Sequence, residues 1–215
     1  MFKLLKKEVS LSMHPTVPIM MCLVFMVLIP NYPYLLICFY TILATFFTCL
    51  VGRENNDIIY TMMLPIAKAD VVKGRIIFTV CQQMLQMILL VPFIFLSAYL
   101  NPIGNQVGTD ANIALIGIAF LTYGISNLVF YTVYYKNVGK VGFAFLCTST
   151  VVTIIIIVDI IMSHAWPLYR DVIDCPGTQN ITYQLIVLVI GVIGYMILTV
   201  MTYKRSVGLF IKQDL

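Results

Sequence analysis

The sequence predicts an all-α integral membrane protein of six transmembrane helices, with an N-terminal interfacial helix and a short cytoplasmic helix between spans two and three. Three observations carry this. Of 215 residues, 61% are apolar and only 10% charged, against about a quarter charged in a soluble domain. The apolar residues fall into runs near the ~20 residues of helix that a bilayer core of about 30 Å requires. The lysines and arginines gather in alternate connections between those runs.

In chain order, Phe2, Leu5, Val9 and Met13 share one helical face with Lys3, Lys6, Lys7 and Ser10 beside it, the pattern of a helix lying in the membrane interface. A basic flank ahead of a span would read the same way. Span one covers about 15–30 and is short and broken by Pro15 and Pro18; no small-residue cleavage site follows it, so it is expected to stay as a span. Asn31, Tyr32 and Pro33 form an outer turn, and Pro33 suits the first position of span two, 33–51. Spans three to six are expected at 76–100, 113–135, 141–162 and 181–203. The outer connection 163–180, with Trp166, Pro167, Tyr169 and Pro176, reads as interfacial or partly re-entrant.

Orientation follows from the basic residues. Lys3, Lys6, Lys7, Arg53, Lys68, Lys73, Arg75, Lys136, Lys140, Lys204, Arg205 and Lys212 fall on one side under six spans, and Arg170 alone on the other. A split of that kind places both termini in the cytoplasm, giving a multi-pass cell-membrane protein.

Few residues carry chemistry. Gly139-Lys140 is followed by Val141 and lacks an upstream glycine, so no phosphate-binding loop exists and ATP is not expected on this chain. His14 and His164 fall on opposite sides, so no metal pair is expected. Five of the six cysteines lie in or beside apolar segments as packing residues, and Cys175 stands alone in an outer loop. Asp159, about 27 Å along span five, is expected near the outer interface, cheaply hydrated. Gln82, Gln83 and Gln86 enter span three, where amides hydrogen-bond between helices or line a pathway. The scarcity of buried charge and the absence of an internal repeat disfavour an ion-coupled carrier.

The densest charge lies in residues 52–75. Glu54, Asn55, Asn56 and Asp57 open a short helix over 58–64, with carboxylates where the helix dipole favours them. Pro65 ends it. A second helix starts near Ala67 with Asp70 in its first turn and runs through Lys73 and Arg75 into span three. Ile58, Ile59, Met62, Met63 and Leu64 give this loop more apolar side chains than a solvated connector needs, while Glu54, Asp57, Lys68 and Asp70 rim them with charge. An apolar centre with a charged rim is what a protein interface looks like.

Glu54, the run 58–64, and Leu64-Pro65-Ile66-Ala67-Lys68 followed by Val71, Val72 and Lys73 resemble the permease subunits of ABC-2 type exporters, closest to the small bacterial ones. Met63 and Ala67 depart from that pattern, where a serine and a Ser or Thr helix cap are common. The resemblance implies that 52–75 is a coupling helix on a separate cytoplasmic ATPase subunit, present in two copies. It implies a non-catalytic chain, ATP and magnesium on the partner, and pairing with a second permease, identical or homologous, in the lipid bilayer. No nucleic-acid partner is implied. The implied activity is export of peptides, toxins or amphipathic molecules. A membrane-embedded immunity or sensor protein that binds a peptide without pumping it is the competing reading, and an ion-coupled carrier a third.

Overall fold

The computed structural model describes residues 2–102, 104–175 and 180–213, without the side chains of Phe2, Lys3 and Leu11. Pro176 of the outer connection lies outside the described residues. All regular structure among them is helical: α1 (Phe2–Lys7), α2 (Val17–Cys22), α3 (Leu36–Glu54), α4 (Asp57–Met62), α5 (Lys68–Leu100), α6 (Ile113–Tyr134), α7 (Val141–Ala165), α8 (Pro167–Val172) and α9 (Ile181–Ile211). Five of these, α3, α5, α6, α7 and α9, are long and apolar enough to cross a membrane. Most of the apolar window of α9 faces outward, with only 17% buried, which in a protein of this composition is a surface for lipid rather than for a core.

The first apolar segment differs from the five. α1 runs into a π-turn over Glu8–Ser12, closed by the Met13 amide on the Glu8 carbonyl, and α2 passes into a 3-10 helix over Leu23–Leu28. The two prolines prevent one continuous helix, because each lacks an amide and clashes with the preceding turn. The apolar stretch Val17–Leu28 is therefore shorter than a spanning helix. Its neighbours nevertheless change from one end of the bundle to the other. Lys7 and Glu8 contact Asp57 and Arg75, whereas Ser97 and Asn101, at the far end of α5, donate to the carbonyls of Val27 and Leu28. The 3-10 turn helps, rising about 2 Å per residue instead of 1.5 Å.

Polar contacts sort the connections into two ends. At one, α1, the 52–75 loop, the α6–α7 turn and the C-terminus meet: Lys68 Nζ donates to the Gln213 carbonyl at 2.7 Å and Gln213 Nε2 to the Tyr135 carbonyl at 3.0 Å. At the other, Asn105 Nδ2 donates to the Tyr32 carbonyl at 2.9 Å, and Asn112 Nδ2 to the Ile173 carbonyl at 2.8 Å. The basic connections thus share one end, called the basic end below.

α6 and α9 make the closest helix pair. A Cβ on Gly117 would stand 2.6 Å from the Val187 carbonyl, and one on Gly191 would press into the Gly117 carbonyl; glycine is what lets the two backbones touch. Below that crossing, Phe130, Tyr131, Tyr134, Tyr135 and Phe210 form a buried aromatic cluster under the basic end.

Candidate functional site

The loop at the basic end is built differently from its expected form at two places. Glu54 does not open the short helix; it is the last residue of α3, so span two continues three residues past 51. Asn56 then adopts a left-handed conformation (φ 51°), which asparagine tolerates better than most residues, and this reverses the chain into α4. Beyond α4, Pro65 and an extended Ala67 (φ −67°, ψ 139°) lead into α5 at Lys68, with no side-chain cap.

α4 has two faces. Asp57, Ile58 and Thr61 turn inward and are buried, as their i, i+1, i+4 spacing on one helical face dictates. Ile59, Tyr60, Met63 and Leu64 turn outward, Met63 being 78% exposed. Two expectations are corrected here. Ile58, 7% exposed, is a core residue and not part of the outward apolar centre, and Asp57 is buried and not at the rim. Met62 and Ile66 are half-buried and pack on the buried cluster that contains Ile58, Val71 and Val72 as well as those aromatic rings. Glu54, Pro65, Asp70 and Lys73 are exposed, while Lys68 is held against the C-terminus and lies over the Phe210 ring at 5.9 Å.

Asp57 belongs to a closed knot of two cations and two carboxylates. Lys7 Nζ lies 2.7 Å from Asp57 Oδ1 and 3.2 Å from Glu8 Oε1. The Arg75 guanidinium donates through one terminal nitrogen to Asp57 Oδ2, and its Nε sits 2.8 Å from Glu8 Oε2 without hydrogen-bond alignment. Ser12 Oγ donates to Asp57 Oδ2 at 3.3 Å, and Lys7 to Thr61 Oγ1 at 3.0 Å. Gly52 completes the socket, since a Cβ there would stand 3.1 Å from the guanidinium. Burial pushes the Asp57 carboxyl up, but the charges of Arg75 and Lys7 and their hydrogen bonds outweigh it and hold it below the ordinary aspartate range.

The knot joins α1, α4 and α5 into one rigid piece. Neither Glu8 nor Arg75 is marked as a site residue by sequence reasoning. The available signal is slight: Glu8 is the lone acid of the basic N-terminal stretch, and Arg75 is the deepest charge before an apolar run. Beside the outward face of α4 lies an apolar cleft of about 220 Å³ lined by Gly52, Arg53, Asn56, Ile58, Ile59, Val138 and Gly139. Arg53 bridges it, donating to the Gly139 carbonyl at 3.3 Å.

The amides of α5 lie deeper. Gln83 and Asn127 exchange two hydrogen bonds of 2.9 Å, and Tyr195 donates to Gln83 Oε1 at 2.7 Å, so α5, α6 and α9 are tied at one level. Gln86 Nε2 donates to the Ile37 carbonyl at 3.2 Å and its oxygen accepts from Tyr123, which ties in α3. Gln82 is buried, and neither of its amide atoms finds a hydrogen-bond partner among the described residues.

Asp159 is also corrected. It sits at the end of the bundle opposite the knot, as its place along α7 requires, but it is buried and bonded rather than hydrated: it accepts from the Thr109 amide at 3.1 Å and from Tyr169 Oη at 2.9 Å. His164 lies at that same end, while His14 stacks on Phe47 at 5.2 Å. No group of three His, Cys, Asp or Glu residues among the described ones is arranged to hold a metal.

The fold and this end of it define a membrane-embedded helical protein that presents a rigidly mounted amphipathic helix beside its basic connections. Comparison of the chain with protein-family models, with curated proteins and with solved structures returns no match.

Proposed function

We propose that the chain is the permease subunit of an ATP-driven ABC-2 type exporter and that α4 is its coupling helix. The observation that supports this is the outward stripe of Ile59, Tyr60, Met63 and Leu64, held over a buried charge knot at the basic end. A solvated connector has no use for four exposed large apolar or aromatic side chains on the six residues 59–64, nor for a rigid foundation beneath them. An interface uses both, because central apolar side chains carry most of its energy and a preordered helix loses little freedom on docking.

In this reading, the divided segment 15–30 makes a sixth crossing, the basic end faces the cytoplasm, and two such chains, or this one and a homologue, pair in the cell membrane. Each chain docks one ATPase subunit; ATP and magnesium reside there, and this chain is not itself an enzyme. Movement of the ATPases is passed through α4 and the knot to α1 and α5 together, biasing the pair between two packed arrangements. Peptides, toxins or amphipathic molecules would move along the seam between the two bundles.

The test is retention of the ATPase in a detergent pull-down. Leu64→Asp, on the stripe, should weaken binding by about 2 kcal/mol or more, the loss of a central contact; Lys73→Ala, exposed at the charged edge of the same segment, should weaken it less and chiefly alter its salt dependence. A Leu64→Asp chain that inserts normally and still retains the ATPase in full would overturn the assignment.

A further inference from the structure

The end opposite the knot carries a second buried polar cluster. The loop 104–112 lies across the tops of α6 and α7 and is clasped by the segment that follows α7. Three carboxylates make the clasp. Asp159 accepts from the amide and hydroxyl of Thr109 and from Tyr169 Oη. Asp174 Oδ1 accepts from the Asp110 amide at 2.6 Å, and Asp110 Oδ1 accepts from the Asn105 amide. Asp110 and Asp174 are 5% and 9% exposed, and neither has a salt-bridge partner among the described residues.

The backbone is shaped to fit them. Gly104 (φ +84°) and Gly108 (φ +98°) adopt conformations that other residues rarely take. A Cβ on Gly104 would stand 2.8 Å from an Asp110 carboxylate oxygen, and one on Gly108 2.9 Å from an Asp159 oxygen. Beside the clasp is a polar cavity of about 400 Å³, bounded by Gln106, Asp110, Ser163, His164, Arg170 and Asp174, which is room for water to reach the carboxylates.

We propose that this cap is a proton-operated latch: with Asp110 and Asp174 protonated, the 104–112 loop is clasped to the segment 169–175, and their ionisation releases it. Other titratable groups face the pair from each neighbouring element. Asp159 on α7 and Tyr169 on α8 hydrogen-bond to each other in the clasp; Arg170 on α8 is largely exposed and pairs with Asp171; His164 closes α7; Tyr34 ahead of α3 faces Asp110; and Cys175 follows Asp174. The Asn105 amide on Asp110, the Asp110 amide on Asp174 and Arg170 from the far wall favour ionisation, and burial opposes it.

Burial raises Asp110 to about 6. Burial, together with the charges of Asp110 and Asp159, raises Asp174 to about 8 against the pull of Arg170 and the Asp110 amide. A raised carboxyl favours the closed cap at low pH, and the advantage is lost as pH rises toward the raised value. From about pH 4 to about 6 both groups ionise in the open cap and not in the closed one, so the closed-to-open ratio falls by up to about 100-fold per pH unit. From about 6 to about 8 only Asp174 contributes, at about tenfold per unit.

The experiment is hydrogen exchange of the full chain in lipid nanodiscs at several pH values between about 5 and about 9, with intrinsic rates corrected. The Thr109 and Asp110 amides, which donate directly to Asp159 and Asp174, should lose about 100-fold of their protection between about pH 6 and about 8, while α9 amides keep theirs. In Asp174→Asn, which keeps the accepting oxygen, the loss between about pH 6 and about 8 should vanish. The infrared carbonyl band of a protonated carboxyl, titrating in the same window in the unaltered chain, gives a readout that needs no variant. Protection that is flat with pH, a parallel loss in α9, an unchanged profile in Asp174→Asn, or no carboxyl band titrating above about pH 6 would each overturn the latch.

Discussion

Removing Arg75 from the knot should do more than any other single change at the basic end. Arg75→Gln keeps length and polarity but leaves Lys7 alone against Glu8 and Asp57, a net negative charge where all three are mostly buried. Breaking a buried pair by deleting one partner costs about 3–5 kcal/mol, because the survivor stays uncompensated. The Lys7 side chain is 14% exposed, so water reaches one edge and the lower figure, about 3 kcal/mol, is expected. At about 2–4 °C per kcal/mol for a chain of this size, melting should fall by about 6–12 °C. Asp57→Asn leaves the opposite imbalance. The double variant restores neutrality, so it should be more stable than the sum of the two losses predicts, by at least about 1 kcal/mol. Thermal unfolding in one detergent, with tryptic accessibility of residues 8–16 and 55–66 as the local readout, measures both. Additive losses, or an Arg75→Gln chain within about 0.5 kcal/mol of the parent, would refute the knot as a load-sharing unit.

Acid should loosen the same end. The Asp57 carboxyl is held below its ordinary value, so its contribution is present above the ordinary aspartate range near 4 and is lost as pH falls through the lower folded value; exchange of the α4 amides against pH, with Asp57→Asn as the flat control, checks it. Gly191→Ala should force α9 off α6, costing about 1–3 kcal/mol or more by overpacking, seen as lower melting with the basic-end contacts intact. Gln83→Leu should remove the link between Asn127 and Tyr195 and cost about 1 kcal/mol, close to what interhelical hydrogen bonds in membranes contribute; a neutral result in the same melting assay would show that the pair does not hold α5, α6 and α9 together. Trp166, half exposed at the start of α8, should respond to lipid-bound quenchers, and emission of a fully hydrated indole would remove α8 from the interface.

The membrane character of the chain was legible because it rests on composition and run length, which need no tertiary knowledge. Hence α3, α6 and α7 lie within about three residues of the apolar runs, while α5 begins at Lys68 and α9 continues to Ile211, each well past its run, because a helix continues into water until a breaker stops it. The first segment was harder. Its residues are apolar enough for a span, but Pro15 and Pro18 divide it, and only the contacts of Val27 and Leu28 with Ser97 and Asn101 reveal how far it reaches.

At the candidate site the pattern of 52–75 pointed to a short helix before Pro65 but not to which side of it faces out. Asp57 looked like a rim charge because charged residues usually stay in water, and its burial depends on Arg75, 18 residues on, and Lys7, 50 residues back. Asp159 misled for the same reason: the partners that make its burial tolerable, Thr109 and Tyr169, come from two other segments. Pairings of that range leave no periodicity in a single sequence.

Site-specific photocross-linking reads out whether the outward face of α4 meets an ATPase. A photoreactive residue at Met63, 78% exposed, and another at Ile58, 7% exposed, differ in little except the face they occupy. Met63 is expected to cross-link, in native membranes, to a subunit that also labels with a photoreactive ATP analogue, and Ile58 to cross-link only within this chain. No ATP-labelled adduct from Met63, or equal adducts from both positions, would contradict it.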